Sequence, residues 1–333
     1  MTVGEALKKC PELLIVEPNM DKYVYYSRLF FEYLSTITPL LEPGSIDEAY
    51  LDVTDIEVED YINLAKKIQD DLYTMYQLPA SIGIGPNKFL AKTASDMKKP
   101  LGITVLRKKE IIQKLWPLSI EKMYGVGKKT LPLLQMIGIK TIGDLANYQD
   151  MKMLYDTIGI NNAKSLYEHA HGKGDNIINY NRFNEVSSIS NSQTFENDEY
   201  NVSNMKMVLK ILVNTVSNRL EKRSLKAYTF TIQIKYNNFK MNSRTRSLDN
   251  PINDNKSIYQ VVDDLFEELY DSDYPVRLLG VASSKLIESK EEIRQMSIYD
   301  AFDDAEKDYS VQKLITSLQK TYGSSSITKG IKK

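Results

Sequence analysis

Two adjacent carboxylates, Asp47 and Glu48, are the side chains in this sequence best suited to catalysis. They lie in the segment EPGSIDEAYLDV, which covers residues 42 to 53. Adjacent side chains of a regular strand point to opposite faces, so the pair can serve one site only at a turn or a distorted strand end, and Gly44 permits such a break. Phosphoryl transfer needs closely placed carboxylates that hold two divalent ions about 3.5 to 4 Å apart. The pattern indicates part of such a site, although a bare Asp-Glu pair is more often a solvated hairpin tip.

A glycine turn offers a second kind of chemistry, the binding of phosphate by backbone amides. Gly125, Val126 and Gly127 are followed by Lys128 and Lys129 and then by helical sequence. Amides left free at a helix N-terminus bind a DNA phosphate without reading base sequence, and the two lysines would reinforce them. The alternative is a plain glycine-rich turn between two helices.

His169 and His171 occur close together in EHAHGKGD, but we do not interpret them as a metal site. The sequence has no other histidine and only one cysteine, Cys10. A shell of nitrogen and sulfur ligands therefore cannot be completed. The lone cysteine also leaves no partner for a disulfide within the chain.

The acidic segment lies within alternating strand and helix signals over residues 12 to 106. The spacing of apolar residues predicts helices from about Asp21 to Ile37, over Ile62 to Met75 and from Lys88 to Met97. The segments ELLIVEP, SIDEAYLDV, ASIGIG and GITVL have strand character. This part of the chain is therefore predicted to form an α/β layer.

Residues 107 to 172 change to short helical pieces separated by glycines, and we expect a small all-helical unit there. The polar stretch GKGDNIINYNRFN, residues 172 to 184, lacks apolar periodicity and contains many turn-forming residues. We interpret residues 173 to 184 as a linker between domains.

The region from residue 185 to 288 predicts the element order β-α-β-β-α-β, a ferredoxin-like unit. In such a unit both helices cover one face of the sheet. We expect the other face to be polar and to carry Lys235, Arg244 and Arg246 beside Thr231 and Gln233, ready to meet an anionic partner. The alternative is a solvated face whose basic residues protect a sheet edge.

Composition sets broad limits on function. The 333 residues are 42% hydrophobic and carry a formal net charge of -1, so the chain is expected to fold into two or three domains and any nucleic-acid contact must come from local patches. No apolar run approaches the span of a bilayer, and MTVGEALKKCPELL is not a signal peptide. These features indicate a reduced, cytoplasmic protein without a membrane partner.

The string SIDEAYLD closely resembles the palm motif of the Y-family (UmuC-like) translesion DNA polymerases. The resemblance continues through CPELLIVEPNMDKYVYYSR upstream and SIGIGPNKFLAKTASDMKKPLGITVL downstream, in the family's order and spacing. MYGVGKKTLPLLQMIGIKTIGDL is similar to the helix-hairpin-helix of the family's thumb, and the ferredoxin-like unit is similar to its little finger. The implied fold is a mixed α/β and α+β multidomain polymerase.

The resemblance implies a domain plan. It comprises a remnant of the fingers at 1–11, a palm at 12–106, a helix-hairpin-helix thumb at 107–172, the linker at 173–184, a little finger at 185–290 and a tail at 291–333.

The resemblance also implies a chemistry, which is template-directed nucleotide addition on damaged DNA with Mg²⁺. Asp47 and Glu48 would bind the metal ions, and Lys99 would contact the phosphates of the incoming deoxynucleoside triphosphate. Gly125 to Lys128, Lys235, Arg244 and Arg246 would hold primer-template DNA. For Lys99 the alternative is a solvated cation at a helix end, where the helix dipole favours positive charge.

The segment RQMSIYDAF, residues 294 to 302, resembles a peptide that binds the bacterial sliding clamp. Gln295, Met296, Ile298 and Tyr299 would dock in the clamp's pocket as an extended segment. The alternative is an amphipathic terminal segment, because such peptides are short and degenerate.

One departure from the family pattern affects the expected activity. A family member carries a first metal-binding aspartate and a sugar-discriminating aromatic on a strand that would precede Met1. We therefore expect an incomplete palm, an incomplete two-ion site and no polymerisation by this chain alone. The alternative function is a non-catalytic protein that binds damaged DNA and the sliding clamp. A helix-hairpin-helix nuclease or glycosylase would explain residues 107 to 172 only.

Overall fold

The computed structural model describes residues 1–57, 60–179, 182 and 186–289. The chain divides into two compact units, Met1–Glu185 and Val186–Lys333. Within the described residues, no helix is both long enough and apolar enough to cross a bilayer.

The first unit begins with helices and two small sheets and ends in short helices. Its elements are α1 (Val3–Lys9), α2 (Met20–Ser35), β1 (Leu41–Pro43), β2 (Ala49–Leu51), α3 (Tyr61–Tyr76), β3 (Ile82–Ile84), α4 (Lys88–Met97), β4 (Ile103–Val105), α5 (Thr130–Met136), α6 (Ile142–Ala146), α7 (Met151–Ile158) and α8 (Ile160–Ala170). Single helical turns at Lys108–Glu110, Ile111–Leu115 and Ile120–Lys122 link β4 to α5.

The three longer helices of this region form close to where the sequence predicts them. Asn19, Asp60 and Asn87 cap α2, α3 and α4, each accepting a hydrogen bond from a backbone amide of the first turn. The buried core between α2 and α3 is small. It contains Tyr33, Leu34, Ile68 and Leu72, against which apolar residues of β1, β2 and β3 pack.

The strands of the first unit form two separate pairs. β1 and β2 are antiparallel, whereas β3 and β4 are parallel. The predicted strand ELLIVEP is wrong, because residues 13–19 lie outside any helix or strand and Leu14 and Val16 are 83% and 74% exposed. An apolar, extended segment becomes a strand only where a neighbouring strand can take its backbone hydrogen bonds.

The helix α4 joins the strand region to the helical region. Its residues Phe89, Leu90 and Ala94 are buried in the same core as the apolar residues of the helical turns and of α5 to α8. The predicted all-helical character of residues 107 to 172 is confirmed, apart from one isolated bridge between Ser119 and Thr141.

The second unit has the predicted element order, β-α-β-β-α-β. Its elements are β5 (Ser188–Glu199), α9 (Val202–Lys222), β6 (Leu225–Tyr236), β7 (Met241–Ile252), α10 (Asn255–Leu269) and β8 (Val276–Glu288).

Both helices of the second unit cover one face of its sheet, as predicted. Alternate residues of β6, from Phe230 to Tyr236, are buried against apolar residues of α9 and α10. The strand order is β5-β8-β6-β7. It places the second and last strands at the centre, whereas the ferredoxin arrangement has the first and third strands there.

The core of the second unit predicts a measurable loss of stability. We expect Leu209→Ala to lower the free energy of unfolding of this unit by about 2 to 5 kcal/mol, because Leu209 is fully buried. The matched control is Ile211→Ala on the same helix, where the side chain is 54% exposed, and it should cost less than about 0.5 kcal/mol. Urea unfolding followed by tyrosine fluorescence measures both, and equal losses would contradict the assigned helix face.

Candidate active site

The two carboxylates lie in the hairpin that joins β1 to β2. Pro43 pairs with Ala49, so residues 44–48 form the loop. The amides of Gly44 and Ser45 donate to the carbonyl of Glu48, at 2.8 and 3.2 Å, and Ser27 of α2 donates its hydroxyl to the carbonyl of Ile46 at 2.5 Å. The prediction that the acidic pair sits at a break in the strand is confirmed.

Asp47 and Glu48 have different partners in this hairpin. The hydroxyl of Ser45 donates to the Asp47 carboxylate at 2.6 Å. The Glu48 carboxylate forms an ion pair with the ammonium group of Lys92, also at 2.6 Å. Both acidic residues are exposed, whereas the Lys92 side chain is only 15% exposed. The site is therefore open to solvent on one side and backed by a largely buried cation on the other.

A row of alternating charges links Glu48 to Lys99. Lys92 contacts Asp96 at 3.4 Å, and Asp96 contacts Lys99 at 2.6 Å. Burial works to lower the pKa of Lys92, but its pairs with Glu48 and Asp96 raise that pKa overall. Burial likewise works to raise the pKa of Asp96, and the two lysines bring it below its usual range. Both side chains are thus charged at neutral pH.

Sequence reasoning missed Lys92 and Asp96. The available signal was their spacing of four residues on the predicted helix α4, which places both on one helix face. That face alone does not reveal the contact with Glu48, because the hairpin is 44 residues away in sequence.

The carboxylates can supply only part of the ligand set for a metal ion. Carboxylate oxygens are ligands that Mg²⁺ prefers, and one or two of them with substrate phosphates and water is a usual arrangement. Among the described residues, no three side chains of His, Cys, Asp or Glu come together as a metal site. Asp47 and Glu48 therefore fit a Mg²⁺ ion whose remaining ligands come from other groups.

The glycine turn Gly125 to Gly127 precedes α5 in the helical region. The amide of Val126 donates to the carbonyl of Met123, and the carbonyl of Gly127 accepts from Thr130 and Leu131. Gly125 has a φ of 96°, a conformation that favours glycine. Lys128 and Lys129 follow in the turn, and both are exposed. The phosphate contact of this turn stays a prediction.

The arginines of β7 lie on the face of the sheet opposite to the predicted one. In the antiparallel register, Arg246 lies across from Phe230 and Arg244 across from Ile232. Directly paired residues point to the same face, and Phe230 and Ile232 are buried beneath the helices. The prediction that both arginines share the polar face with Thr231, Gln233 and Lys235 is therefore wrong.

The turn between β6 and β7 decides this register. Lys235 pairs with Met241, and the amide of Tyr236 donates to the carbonyl of Lys240 to close the turn. A shift of one residue moves every side chain of a strand to the other face. The sequence shows that Arg244 and Arg246 share a face, but it does not show which face.

Acidic residues of α10 neutralise the two arginines. Arg244 contacts Glu268 at 2.9 Å, and Arg246 contacts Asp264 at 3.1 Å and also Glu268. Exposed ion pairs of this kind contribute little to stability. They do reduce the positive potential that either arginine offers to another anion.

The open face of the second sheet is rich in hydroxyl groups. Thr229 and Thr231 form hydrogen bonds with Ser247 and Thr245 of β7, at 2.9 and 2.8 Å. The strand register assigns small or polar residues to most positions of this face: Ser188, Ser190, Ser192, Thr194, Thr229, Thr231, Gln233, Lys235, Met241, Ser243, Thr245, Ser247, Leu278, Gly280, Ala282 and Ser284. Among these described positions only Lys235 is charged.

Lys235 lies at the end of the sheet beside an exposed aromatic ring. Its ammonium group is 4.6 Å from the centre of the Phe239 ring, and the guanidinium of Arg277 is 4.8 Å from the same ring. Phe239 is 62% exposed. This end of the sheet therefore combines two cations with an aromatic surface, a combination that the sequence pattern did not reveal.

Two other sequence features have different positions in the structure. His169 stacks on Phe89 with ring centres 4.3 Å apart, and burial lowers its pKa. His171 places Nδ1 2.9 Å from the carbonyl of Tyr167. The predicted clamp-binding residues Gln295, Met296, Ile298 and Tyr299 lie outside the described residues.

Comparison with known families agrees with the order of the two units. Residues 1–96 match the impB/mucB/samB family, and residues 186–298 match the C-terminal domain of that family. Residues 108–139 match the HHH motif of the same family. The acidic hairpin, the helical region and the second sheet are thus matched in chain order.

Individual relatives are similar over nearly the whole chain. DNA polymerase IV of Oceanobacillus iheyensis is 40% identical over 331 residues, which cover 98% of this chain and 78% of that protein. DNA polymerase IV 1 of Bacillus subtilis is also 40% identical, over 99% of this chain and 79% of that protein. The solved structure of a Y-family DNA polymerase chimera of Dbh and Dpo4 has a TM-score of 0.77 and 25% identity, covering 86% of this chain and 83% of the chimera.

The fold is that of a Y-family DNA polymerase. The chain belongs to the impB/mucB/samB family of Y-family DNA polymerases. The predicted family is confirmed, and so is the predicted fold with a helix-hairpin-helix motif and a four-stranded little finger.

The pairing of Lys92 with Glu48 predicts competition between this lysine and a bound cation. We expect Lys92→Met, which keeps the buried stem and removes the charge, to tighten Mn²⁺ binding about five-fold, or about 1 kcal/mol. Electron paramagnetic resonance of free Mn²⁺ measures the affinity without any reaction. Lys67→Met, which removes an exposed lysine of α3, should have no effect, and equal affinities for all three proteins would contradict the competition.

Proposed function

We propose that this protein acts in translesion DNA synthesis, the template-directed addition of deoxynucleotides opposite damaged bases with Mg²⁺. The observation that carries the proposal is the acidic hairpin with Asp47 and Glu48, set against the lysines of α4 in a chain that belongs to this polymerase family. A cytoplasmic location and binding of a bacterial sliding clamp through Gln295, Met296, Ile298 and Tyr299 are parts of the same proposal.

Asp47 and Glu48 would hold Mg²⁺ in this function. The ion supplies charge neutralisation at the transferring phosphoryl group and activation of the attacking hydroxyl. Lys92 orients the Glu48 carboxylate, and Ser45 orients the Asp47 carboxylate. Lys99 would exchange its contact with Asp96 for a phosphate of the incoming triphosphate, since both side chains are about half exposed and an exposed ion pair is weak.

The DNA would contact the protein mainly through its sugar-phosphate backbone. Amides of the turn Gly125 to Gly127, together with Lys128, are suited to one phosphate. Hydroxyl groups of the open face donate hydrogen bonds to phosphate oxygens without adding charge. Lys235 supplies the cation of that face. Arg244 and Arg246 would contribute only where a phosphate displaces Glu268 or Asp264 from them.

Primer extension tests the catalytic proposal. Translesion synthesis predicts Mg²⁺-dependent extension on an undamaged template and on one with an abasic site, and extension by this chain would contradict the sequence-based expectation that it does not polymerise alone. Asp47→Ala should slow extension about a hundredfold or more, because losing a residue that only supports a metal ligand already costs about 10- to 100-fold. Asp55→Ala, an exposed carboxylate just beyond the hairpin, is the control. An Asp47→Ala protein as fast as the unaltered one would rule out the metal role of Asp47.

A second candidate is a non-catalytic protein that binds damaged DNA and the sliding clamp. It would use the turn Gly125 to Gly127 and Lys235 to hold DNA, and it needs no chemistry at Asp47 and Glu48. The same experiment separates the candidates. Duplex binding without extension supports the second, and extension supports the first.

The corrected strand register predicts unequal roles for the basic residues of the little finger. Lys235→Ala should weaken duplex binding and reduce the slope of log affinity against log salt by about 0.9, the value for one phosphate contact. Arg246→Ala should change that slope less, because Asp264 and Glu268 already neutralise Arg246. Fluorescence anisotropy over a salt series measures both. A larger slope change for Arg246→Ala would show that the arginine leaves its partners to bind DNA.

A further inference from the structure

Glu42 of β1 is a buried carboxylate that no part of the proposed chemistry uses. It is 1% exposed, although it lies only five residues before Asp47. It accepts hydrogen bonds from the ammonium of Lys88 at 3.0 Å, the guanidinium of Arg182 at 2.6 Å and the amide of Asn179 at 2.8 Å. Two of these donors belong to the segment that leads from the thumb to the little finger.

Lys88, at the first turn of α4, also binds that segment. Its ammonium contacts the Asp175 carboxylate at 2.6 Å and the carbonyl of Ile177 at 2.8 Å. Its amide donates to the carbonyl of Asp175 at 3.0 Å. The neighbouring Asn87 donates its side-chain amide to the carbonyl of Gly172 at 2.9 Å. The described residues of the connecting segment, 172–179 and Arg182, are therefore attached to β1 and α4 at several points.

The contacts of Glu42 are mutually dependent. Two carboxylates, Glu42 and Asp175, face two cations, Lys88 and Arg182, so the group is neutral as a whole. A buried carboxylate is tolerated only when it is paired, and removing one partner leaves an uncompensated charge. Burial works to raise the pKa of Glu42, but its three donors bring that pKa below its usual range. Glu42 is thus ionised at neutral pH and accepts hydrogen bonds from all three donors.

This group, which we call the latch (Glu42, Lys88 and Arg182), determines how much chain separates the two units. Val186 begins the second unit, four residues after Arg182. Four residues span at most about 14 Å, whereas the nine from Ile177, which Lys88 binds independently of Glu42, to Val186 span up to about 32 Å. Closing the latch therefore removes about half of the maximum length of the connection.

We infer that Glu42 is a positioning residue whose latch shortens the tether between two DNA-binding units, so that both units engage one duplex at high effective concentration. The DNA part of this inference rests on the proposed function. Effective concentration falls roughly as the −3/2 power of tether length. Lengthening the tether from four residues to nine should then weaken duplex binding about three-fold without removing a contact with DNA.

The experiment compares Glu42→Gln and Arg182→Ala with the unaltered chain. Arg182 is 52% exposed, so its replacement removes the last contact of the latch before Val186 with little risk to folding if Glu42→Gln proves unstable. Lys173→Ala is the matched control, because it removes an exposed cation of the same segment that lies outside the latch. Arg182→Lys keeps the charge and should restore most of the affinity.

Two measurements are made on every variant. Hydrogen exchange of the Asn179 amide reports latch closure. We expect it to accelerate at least about ten-fold in Glu42→Gln, where the amide loses its carboxylate acceptor, and by a smaller factor in Arg182→Ala, where Glu42 remains but loses one of its partners. Anisotropy with a primer-template duplex, without divalent cations, should show about three-fold weaker binding for Glu42→Gln and about two-fold weaker binding for Arg182→Ala, at an unchanged salt slope. The control should match the unaltered chain in both.

Each failure has a distinct meaning. Unchanged exchange in both latch variants would overturn the latch itself. A salt slope reduced by about 0.9 in Arg182→Ala would overturn the tether role, because it would identify Arg182 as a phosphate contact. Absence of duplex binding by the unaltered chain would overturn the proposed function and the DNA role of the tether, while the exchange measurement still decides whether the latch closes.

Discussion

The pairing of two lysines on α4 with two carboxylates of one hairpin is the interaction on which the first unit depends. Lys88 binds Glu42, and Lys92, one helical turn later, binds Glu48. These pairs hold the acidic hairpin against α4. The apolar face of α4 is buried in the core of the helical region. A carboxylate near a partly buried region requires such a partner, because an unpaired charge would be costly to desolvate. Helix α4 therefore connects the candidate metal ligands to the helical region.

The same helix contacts both the candidate metal ligand Glu48 and the connecting segment. At its N-terminal end, Lys88 and Asn87 bind the connecting segment, and just beyond its C-terminal end Lys99 contacts Asp96 near the pair of Lys92 and Glu48. A disturbance of α4 would thus reach the acidic hairpin, the candidate nucleotide contact and the connecting segment together. The little finger has its own core.

The elements were predictable where local signals are strong. Helices α3, α4, α9 and α10 follow from apolar spacing and capping residues, and the order of elements in the second unit follows from alternation between helical and strand periods. The absence of a strand at ELLIVEP was not predictable from its apolar pattern. Such a segment forms a strand only beside a neighbouring strand, and the described residues provide none for it. The face of the sheet on which Arg244 and Arg246 lie was not predictable either. One residue more or fewer in the turn at 237–240 would move both side chains to the opposite face.

The sequence by itself determined the family, the acidic pair at a break in a strand and the polar character of one sheet face. These follow from residue types and short spacings, which are local properties. Only the tertiary structure decided which charges meet. Glu42 and Arg182 are 140 residues apart, and Glu48 and Lys92 are 44 apart. Ion pairs over such separations depend on how helices and hairpins pack, and no local pattern encodes that packing.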